Sequence, residues 1–171
     1  HYSDALASCI ETRWREAGLT PLRVSVNVSS LQFQGASFVP MVQRVLRDTG
    51  APPGLIELEL TESLLIANAD QAGATIRALK AIGLRISIDD FGTGYSSLNY
   101  LRLMEVDYVK IDRSFVTNLA SSRRDQAVAT AIVELARALD ITVVAEGVET
   151  EAQARFFAGV KCGELQGFLF C

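Results

Sequence analysis

Histidine is almost absent from this chain. The single histidine among 171 residues is His1, at an end of the chain where side chains are seldom well ordered. This scarcity argues against Ser-His-Asp or Cys-His nucleophiles and against HExxH zinc sites. Polar catalysis is therefore left to carboxylates, amides and lysine.

Cysteine and positive charge are also scarce. Cys9, Cys162 and Cys171 are odd in number and show no CxxC spacing, which predicts free thiols in a reducing cytosol and neither a disulfide framework nor a zinc ribbon. A net charge of -4 without a basic cluster argues against binding of polymeric nucleic acid. No apolar run is long enough for a membrane span, and the first residues lack the features of a signal peptide. We therefore expect a cytoplasmic protein, or the cytoplasmic part of a larger, membrane-attached one.

Short β-rich runs alternate with amphipathic stretches along the chain, 49% of which is hydrophobic. The length predicts one domain. The patterns predict strands at 22–28, 55–61, 84–88, 108–111, 142–145 and 165–170, helices at 3–17, 38–48, 70–82, 124–139 and 151–157, and a glycine-rich loop at 90–97. Repeated βα units indicate a parallel sheet with right-handed crossovers.

Nearly every predicted strand ends in a polar residue. An open doubly wound sheet gathers functional groups from a few strands at a switch point, whereas a closed barrel gathers them from all strands at its C-terminal mouth. We therefore predict an α/β fold of the (β/α)8 TIM-barrel type. A complete barrel needs roughly 250 residues, so we expect residues 1–171 to form a single domain with about six of the eight βα units.

The polar strand ends predict a metal site. They are Asn27, Glu59, Asp89, Asp90 and Glu146. Clustered carboxylates stay ionised only beside a cation, and an all-oxygen ligand set favours Mg²⁺ or Mn²⁺ over zinc. The adjacent Asp89 and Asp90 suggest two ions, an arrangement suited to phosphoryl displacement. Lys110 would add positive charge or orient a water.

Each of these residues also has a plainer interpretation. Glu57 and Glu59 are typical of the solvent face of an edge strand, and Asp89 with Asp90 is typical of a turn. Asn27 could simply end a strand, and Lys110 with Asp112 could form a surface ion pair. An open, phospho-receiver-like sheet has a similar acidic pair and lysine, although six units overrun it.

Six segments, in order along the chain, resemble the signature segments of the EAL-domain family. They are Val24–Ser29, Glu57–Glu62, Asp89–Leu98, Val109–Asp112, Val144–Thr150 and Gln166–Phe170. The resemblance implies a (β/α)8 barrel that hydrolyses cyclic di-GMP to linear pGpG. The resemblance implies that residues 1–171 are an N-terminally truncated domain of this type. The Glu-Ala-Leu segment on the second strand of the family is absent from the chain, and with it one glutamate ligand and a substrate-contacting arginine of the family. The activity of the chain by itself is therefore in question.

The resemblance also implies residue roles. The metal ligands are Asn27, Glu59, Asp89, Asp90 and Glu146; Lys110 holds the catalytic water, and Glu146 is a candidate general base. Glu149 and Gln166 line the part of the site that binds substrate. Glu62 anchors the regulatory loop that contains Phe91, Gly92, Thr93 and Gly94.

The implied partners are cyclic di-GMP, a second copy of the chain and further domains. The homodimer would form through the loop after Asp90 and the helix that follows it. The further domains would be sensory or diguanylate-cyclase-like. A different class of function also stays open, namely a receptor that binds cyclic di-GMP without cleaving it.

Overall fold

Six parallel strands form one sheet whose spatial order is the order along the chain. The computed structural model describes Gly18 and residues 22–67, 69–93 and 98–170. Within these ranges the elements are β1 (Val24–Asn27), α1 (Ser30–Phe33), α2 (Phe38–Thr49), β2 (Ile56–Thr61), α3 (Glu62–Ala67), α4 (Ala69–Ile82), β3 (Arg85–Phe91), α5 (Leu98–Leu103), β4 (Tyr108–Ile111), α6 (Arg113–Thr117), α7 (Arg123–Ala138), β5 (Thr142–Glu146), α8 (Glu151–Gly159) and β6 (Glu164–Gln166). The neighbours pair in parallel from β1 to β6, which confirms the predicted six βα units of a barrel-type α/β fold.

Alternation along the strands separates an apolar outer face from a polar inner face. In β2, Leu58 and Leu60 are buried in the hydrophobic core, and Leu58 lines a small cavity together with Val42 and Leu46 of α2. Glu57 and Glu59 lie on the opposite face of the same strand and are also buried. The sheet therefore carries buried residues on both faces, as expected when parallel strands curl around a filled interior.

Short polar motifs fix where several helices begin. Ser29 and Thr150 each form a capping box with the glutamine three residues later, and the Ser122 side chain accepts a hydrogen bond from the Asp125 backbone N–H. These caps place α1 and α8 directly after β1 and β5. The Ser29 and Thr150 caps therefore fix the short connections that follow the polar ends of β1 and β5.

The observed boundaries correct two predicted elements. β3 continues through Asp90 and Phe91 before the glycine-rich loop begins. The last strand ends at Gln166, earlier than predicted, because the chain then turns across Val148. Gly167 allows that approach, since a Cβ there would overlap the Val148 backbone. The short helices α1, α3, α5 and α6 had no sequence prediction.

Some predictions fall outside the described residues. They are the helix at 3–17 and the part of the glycine-rich loop at 94–97. In the portion of the chain that the structure describes, no helix has both the length and the apolar character needed to cross a bilayer.

Candidate functional site

A lysine surrounded by three carboxylates lies at the C-terminal ends of four neighbouring strands. Lys110 Nζ of β4 is 2.9 Å from Glu59 Oε1 of β2, 2.5 Å from Glu146 Oε1 of β5 and 3.9 Å from Asp89 Oδ1 of β3. Parallel strands bring their carboxyl ends to one edge, so residues 51 positions apart in the chain become hydrogen-bonded. We call Glu59, Asp89, Lys110 and Glu146 the mouth cluster.

The mouth cluster is largely withdrawn from solvent. The side chains of Lys110 and Glu59 are 8% and 7% exposed, and those of Asp89 and Glu146 are about one-fifth exposed. Burial alone would lower the pKa of Lys110, but hydrogen bonds to Glu146 and Glu59 outweigh it and leave that pKa above its ordinary value. The lysine is therefore a fixed ammonium, which can stabilise negative charge but cannot act as a base.

A bulge in β3 places two consecutive aspartates opposite a single residue of β4. Ile88 pairs with Val109 and Phe91 pairs with Ile111, so Asp89 and Asp90 together oppose Lys110. Asp90 has a φ of 55°, a left-handed conformation that aspartate tolerates better than most residues. Regular alternation would send these two carboxylates to opposite faces of the sheet. The bulge explains how adjacent acids can serve one site.

Asn27 lies at the edge of the mouth cluster, and two acidic residues of this region have raised pKa values. Asn27 is the last residue of β1 and lies beside Glu59 in the register of β1 and β2. Burial raises the pKa of Glu146, a shift that its hydrogen bond with Lys110 only partly offsets. Burial also raises the pKa of Asp90, and the neighbouring Asp89 carboxylate adds to that shift. Raised carboxyl pKa values are typical of sites that transfer protons.

The donor set suits a hard divalent cation. The predicted ligands are one amide and four carboxylates, with no nitrogen or sulfur ligand, which is the chemistry that Mg²⁺ and Mn²⁺ prefer. Among the described residues, no three acidic, histidine or cysteine side chains are grouped tightly enough to hold an ion. The Lys110 ammonium lies between Glu59 and Glu146 and balances part of their charge. The residue types therefore fit the cation, and their metal-binding role stays a prediction.

The loop after β3 is joined to the glutamate that follows β2. The buried Glu62 accepts a hydrogen bond of 2.9 Å from the Gly92 backbone N–H. Phe91 is buried, and Thr93 donates a hydrogen bond from Oγ1 to the Asp90 carbonyl. Gly94 lies outside the described residues. Glu62 thus makes the contact with the loop that its predicted anchoring role requires. A regulatory role for this loop stays a prediction.

The two predicted substrate-binding residues lie at the ends of neighbouring strands, Glu149 three residues after β5 and Gln166 as the last residue of β6. Glu149 is exposed and forms an ion pair with Arg113, with 2.7 Å between Nη2 and Oε1. Gln166 pairs with Glu146 in the register of β5 and β6, and its backbone carbonyl accepts a hydrogen bond from Val148 N–H. Glu149, Gln166 and the mouth cluster therefore share one end of the sheet. Their substrate-binding roles stay predictions.

Two of the plainer interpretations are wrong. β2 pairs with strands on both sides, so Glu57 and Glu59 are not on the solvent face of an edge strand. Lys110 bonds to Glu59 and Glu146 instead of forming a surface pair with Asp112, whose side chain caps α6 by accepting from Ser114 N–H.

The sequence predictions missed a second ionic cluster at the opposite end of the strands. We call Arg23, Glu57, Tyr108 and Glu164 the floor cluster. Arg23 Nε lies 3.1 Å from Glu57 Oε2 without hydrogen-bond geometry, and Arg23 Nη2 lies 2.7 Å from Glu164 Oε2. The Arg23 guanidinium also donates to the Tyr108 hydroxyl. The sequence does contain a signal for this cluster. Glu57 lies two residues before Glu59, and Tyr108 lies two residues before Lys110, so each lies on the same strand face as its mouth counterpart.

Two curated proteins with similar sequence are cyclic di-GMP enzymes by name. The chain is 44% identical to the bifunctional diguanylate cyclase/cyclic di-GMP phosphodiesterase MucR of Pseudomonas aeruginosa over 95% of its own length and 24% of that protein. It is 44% identical to the cyclic di-GMP phosphodiesterase NbdA of the same organism, over 90% of its length and 20% of that protein. The chain thus spans about a fifth to a quarter of the curated relatives it matches.

Solved structures give the same relationship. A MucR phosphodiesterase in complex with c-di-GMP has a TM-score of 0.92 at 43% identity, covering 97% of this chain and 67% of that one. A manganese and cy-diGMP complex of Klebsiella pneumoniae BlrP1 has a TM-score of 0.85 at 30% identity, covering 98% and 42%. The EAL domain family model matches residues 5–171. The chain therefore belongs to the EAL domain family.

Proposed function

We propose that the protein hydrolyses cyclic di-GMP to linear pGpG in a metal-dependent reaction. The observation that carries the proposal is the mouth cluster, in which three carboxylates from three strands surround the Lys110 ammonium. The named substrates of MucR and NbdA support the choice of cyclic di-GMP. Acidic side chains alone would repel a phosphodiester, so the proposal includes a cation that neutralises them.

Asn27, Glu59, Asp89, Asp90 and Glu146 would hold Mg²⁺ or Mn²⁺ in a two-metal site. When bound, such ions supply Lewis-acid activation of a water and stabilise charge on the phosphate oxygens. The manganese complex of the 30% identical BlrP1 supports this assignment. The protein's own contribution is to hold the carboxylates on rigid strand ends, which fixes their positions before substrate arrives.

Lys110 and Glu146 would act on the attacking water. The Lys110 ammonium can hold the water oxygen and stabilise negative charge that develops beside it. Glu146, whose pKa is raised by burial, can accept the proton of the water. Glu149 and Gln166 would contact the nucleotide at the rim of the site.

The direct test is turnover of cyclic di-GMP with added Mg²⁺ or Mn²⁺, followed by chromatographic detection of pGpG. We expect product with metal and none after chelation. Glu59→Ala should abolish turnover, whereas Glu151→Gln on the outer surface of α8 should not. Absence of metal-dependent turnover in the full-length protein would reject the enzyme.

A receptor that binds cyclic di-GMP without cleaving it is the second candidate. The tight pairing of Lys110 with Glu59 and Glu146 favours it, because those contacts compete with metal binding. Calorimetry distinguishes the two candidates. Metal-independent binding without pGpG would establish the receptor and exclude the enzyme.

Assembly and location complete the proposal. We propose a homodimer through the loop after Asp90 and α5, further sensory or diguanylate-cyclase-like domains in the whole protein, and a cytoplasmic site of action. The bifunctional name of MucR supports the additional domains. Light scattering with and without cyclic di-GMP would measure the oligomeric state.

A further inference from the structure

Arg113 connects two loops at the rim of the site. It is the first residue of α6, three positions after Lys110, and its Nη2 lies 2.7 Å from Glu149 Oε1. Its side chain also packs on Gly147, where a Cβ would lie 2.5 Å from Arg113 Cγ. Gly147 has a φ of 69° and directly follows Glu146. The arginine thus touches the backbone and the side chain of the segment that leaves the mouth cluster.

The other side of the same segment is held by the chain after β6. Val148 N–H donates to the Gln166 carbonyl at 3.0 Å, and the Val148 carbonyl accepts from Leu169 N–H at 3.1 Å. Gly167 crosses so close to Val148 that any side chain there would overlap its backbone. Residues 147–149 are therefore clasped between Arg113 and the segment 166–169. We call residues 147–149 the rim segment.

A buried glutamine makes a second connection between the rim segment and α6. Gln153 Oε1 accepts from the backbone N–H groups of Glu149 and Thr150, and Gln153 Nε2 donates to the Val116 carbonyl of α6. Because Gln153 already joins the rim segment to α6, the fold does not need Arg113 for that purpose. Arg113 is 60% exposed, so its ion pair contributes little stability.

We propose that Arg113 is a positioning residue for substrate, which fixes the Glu149 carboxylate and the rim segment. The proposal rests on the proposed function and extends it to Arg113, a residue outside the set of predicted site residues. Lys110 is occupied by Glu59 and Glu146, whereas the exposed Arg113 guanidinium lies at the rim. Its charge offsets that of Glu149, which would otherwise repel an anionic dinucleotide.

The test is steady-state kinetics of cyclic di-GMP hydrolysis by Arg113→Met, which keeps an aliphatic stem over Gly147 and removes the charge. We expect KM to rise roughly tenfold, the scale typical of residues that orient a primary contact. The value of kcat should change less than about twofold, because the mouth cluster is untouched. The melting temperature should stay near that of the wild type.

The matched control is Arg155→Met. Arg155 is also exposed and pairs with Glu151 at 2.9 Å, but this pair lies along α8 and does not contact the rim segment. Glu149→Gln and the double variant Arg113→Met/Glu149→Gln complete a cycle. We expect the double variant to be no worse than the more impaired single variant, because the two residues act as one unit.

The possible results separate this inference from the proposed function. If the wild type is active and Arg113→Met behaves like Arg155→Met, or loses kcat at constant KM, the positioning role is overturned while the enzyme stands. If the wild type binds cyclic di-GMP without cleaving it, the enzyme is overturned, and the same tenfold loss is expected in Kd by calorimetry. A wild-type protein that neither binds nor cleaves it overturns both.

Discussion

The mouth cluster and the floor cluster use similar residues on the same inner strand faces, yet their charges are arranged differently. At the mouth, one ammonium faces three carboxylates. At the floor, Arg23 faces two carboxylates, and the guanidinium of Arg85 also reaches Tyr108. The floor is thus close to electrically balanced, whereas the mouth keeps an excess of negative charge. A balanced cluster fits a structural role, and an acidic excess fits recruitment of a cation.

Removal of one mouth carboxylate should have the largest effect on turnover. We expect Glu146→Gln to reduce kcat by roughly 10²–10⁴-fold, the range typical of a lost general base. The fold should persist, because the amide can still bond to Lys110. The measurement is pGpG formation in excess metal. A loss of less than about tenfold would contradict the role of Glu146.

Removal of the lysine should have the largest effect on stability. Lys110→Met leaves Glu59, Asp89 and Glu146 without their cation, so we expect a loss of about 3–5 kcal/mol in the free energy of unfolding. Urea denaturation measures this loss. Added Mg²⁺ should restore more stability to the variant than to the wild type, because the uncompensated carboxylates gain most from a cation. An equal response to Mg²⁺ would contradict an acidic, cation-binding mouth.

A floor substitution should separate stability from activity. Arg23→Met leaves the buried Glu57 without its cation, and we expect a loss of about 2–3 kcal/mol, less than for Lys110 because Arg23 is partly exposed. The KM and kcat of the folded fraction should match those of the wild type. A large change in kcat with intact folding would show that the floor takes part in the reaction and would remove the contrast between the clusters.

The smallest effect is expected where the floor reaches solvent. Glu164 is 43% exposed, so Glu164→Gln should cost less than about 1 kcal/mol. Arg23 keeps its contacts with Glu57 and Tyr108 in this variant. The measurement is urea denaturation at low and high salt. A loss of stability comparable to that of Arg23→Met would mean that Glu164 contributes more than Glu57 to the stability of the floor cluster.

The order of strands and the identity of the mouth residues were within reach of sequence reasoning. The strand ends differ from the predictions by up to four residues, and all six strands were anticipated. The bulge was not, because nothing local in Asp89-Asp90 distinguishes a bulge from a turn. It depends on how β3 pairs with β4, a contact between segments about 20 residues apart.

The burial of Glu57 and Glu59 could not be predicted from local sequence patterns either. Alternation assigns Glu57 and Glu59 to one face of β2 but does not say what covers that face. Lys110 contacts Glu59 from a strand that lies two positions away in the sheet, and Arg23, which precedes β1, contacts Glu57. Burial is the main cause of the raised pKa of Glu57. The role proposed for Arg113 likewise depends on Glu149, 36 residues later in the chain.

The sequence by itself determined the element pattern, the parallel sheet, the all-oxygen donor set and the membership in a family. These follow from periodicity, composition and ordered motifs, which are properties of neighbouring residues. Tertiary structure decided that one lysine lies among three carboxylates, that a bulge places two aspartates opposite that lysine, and that a second ionic cluster lies at the opposite end of the strands. Those are properties of distance and dielectric, which depend on residues far apart in the chain. Only the folded sheet sets them.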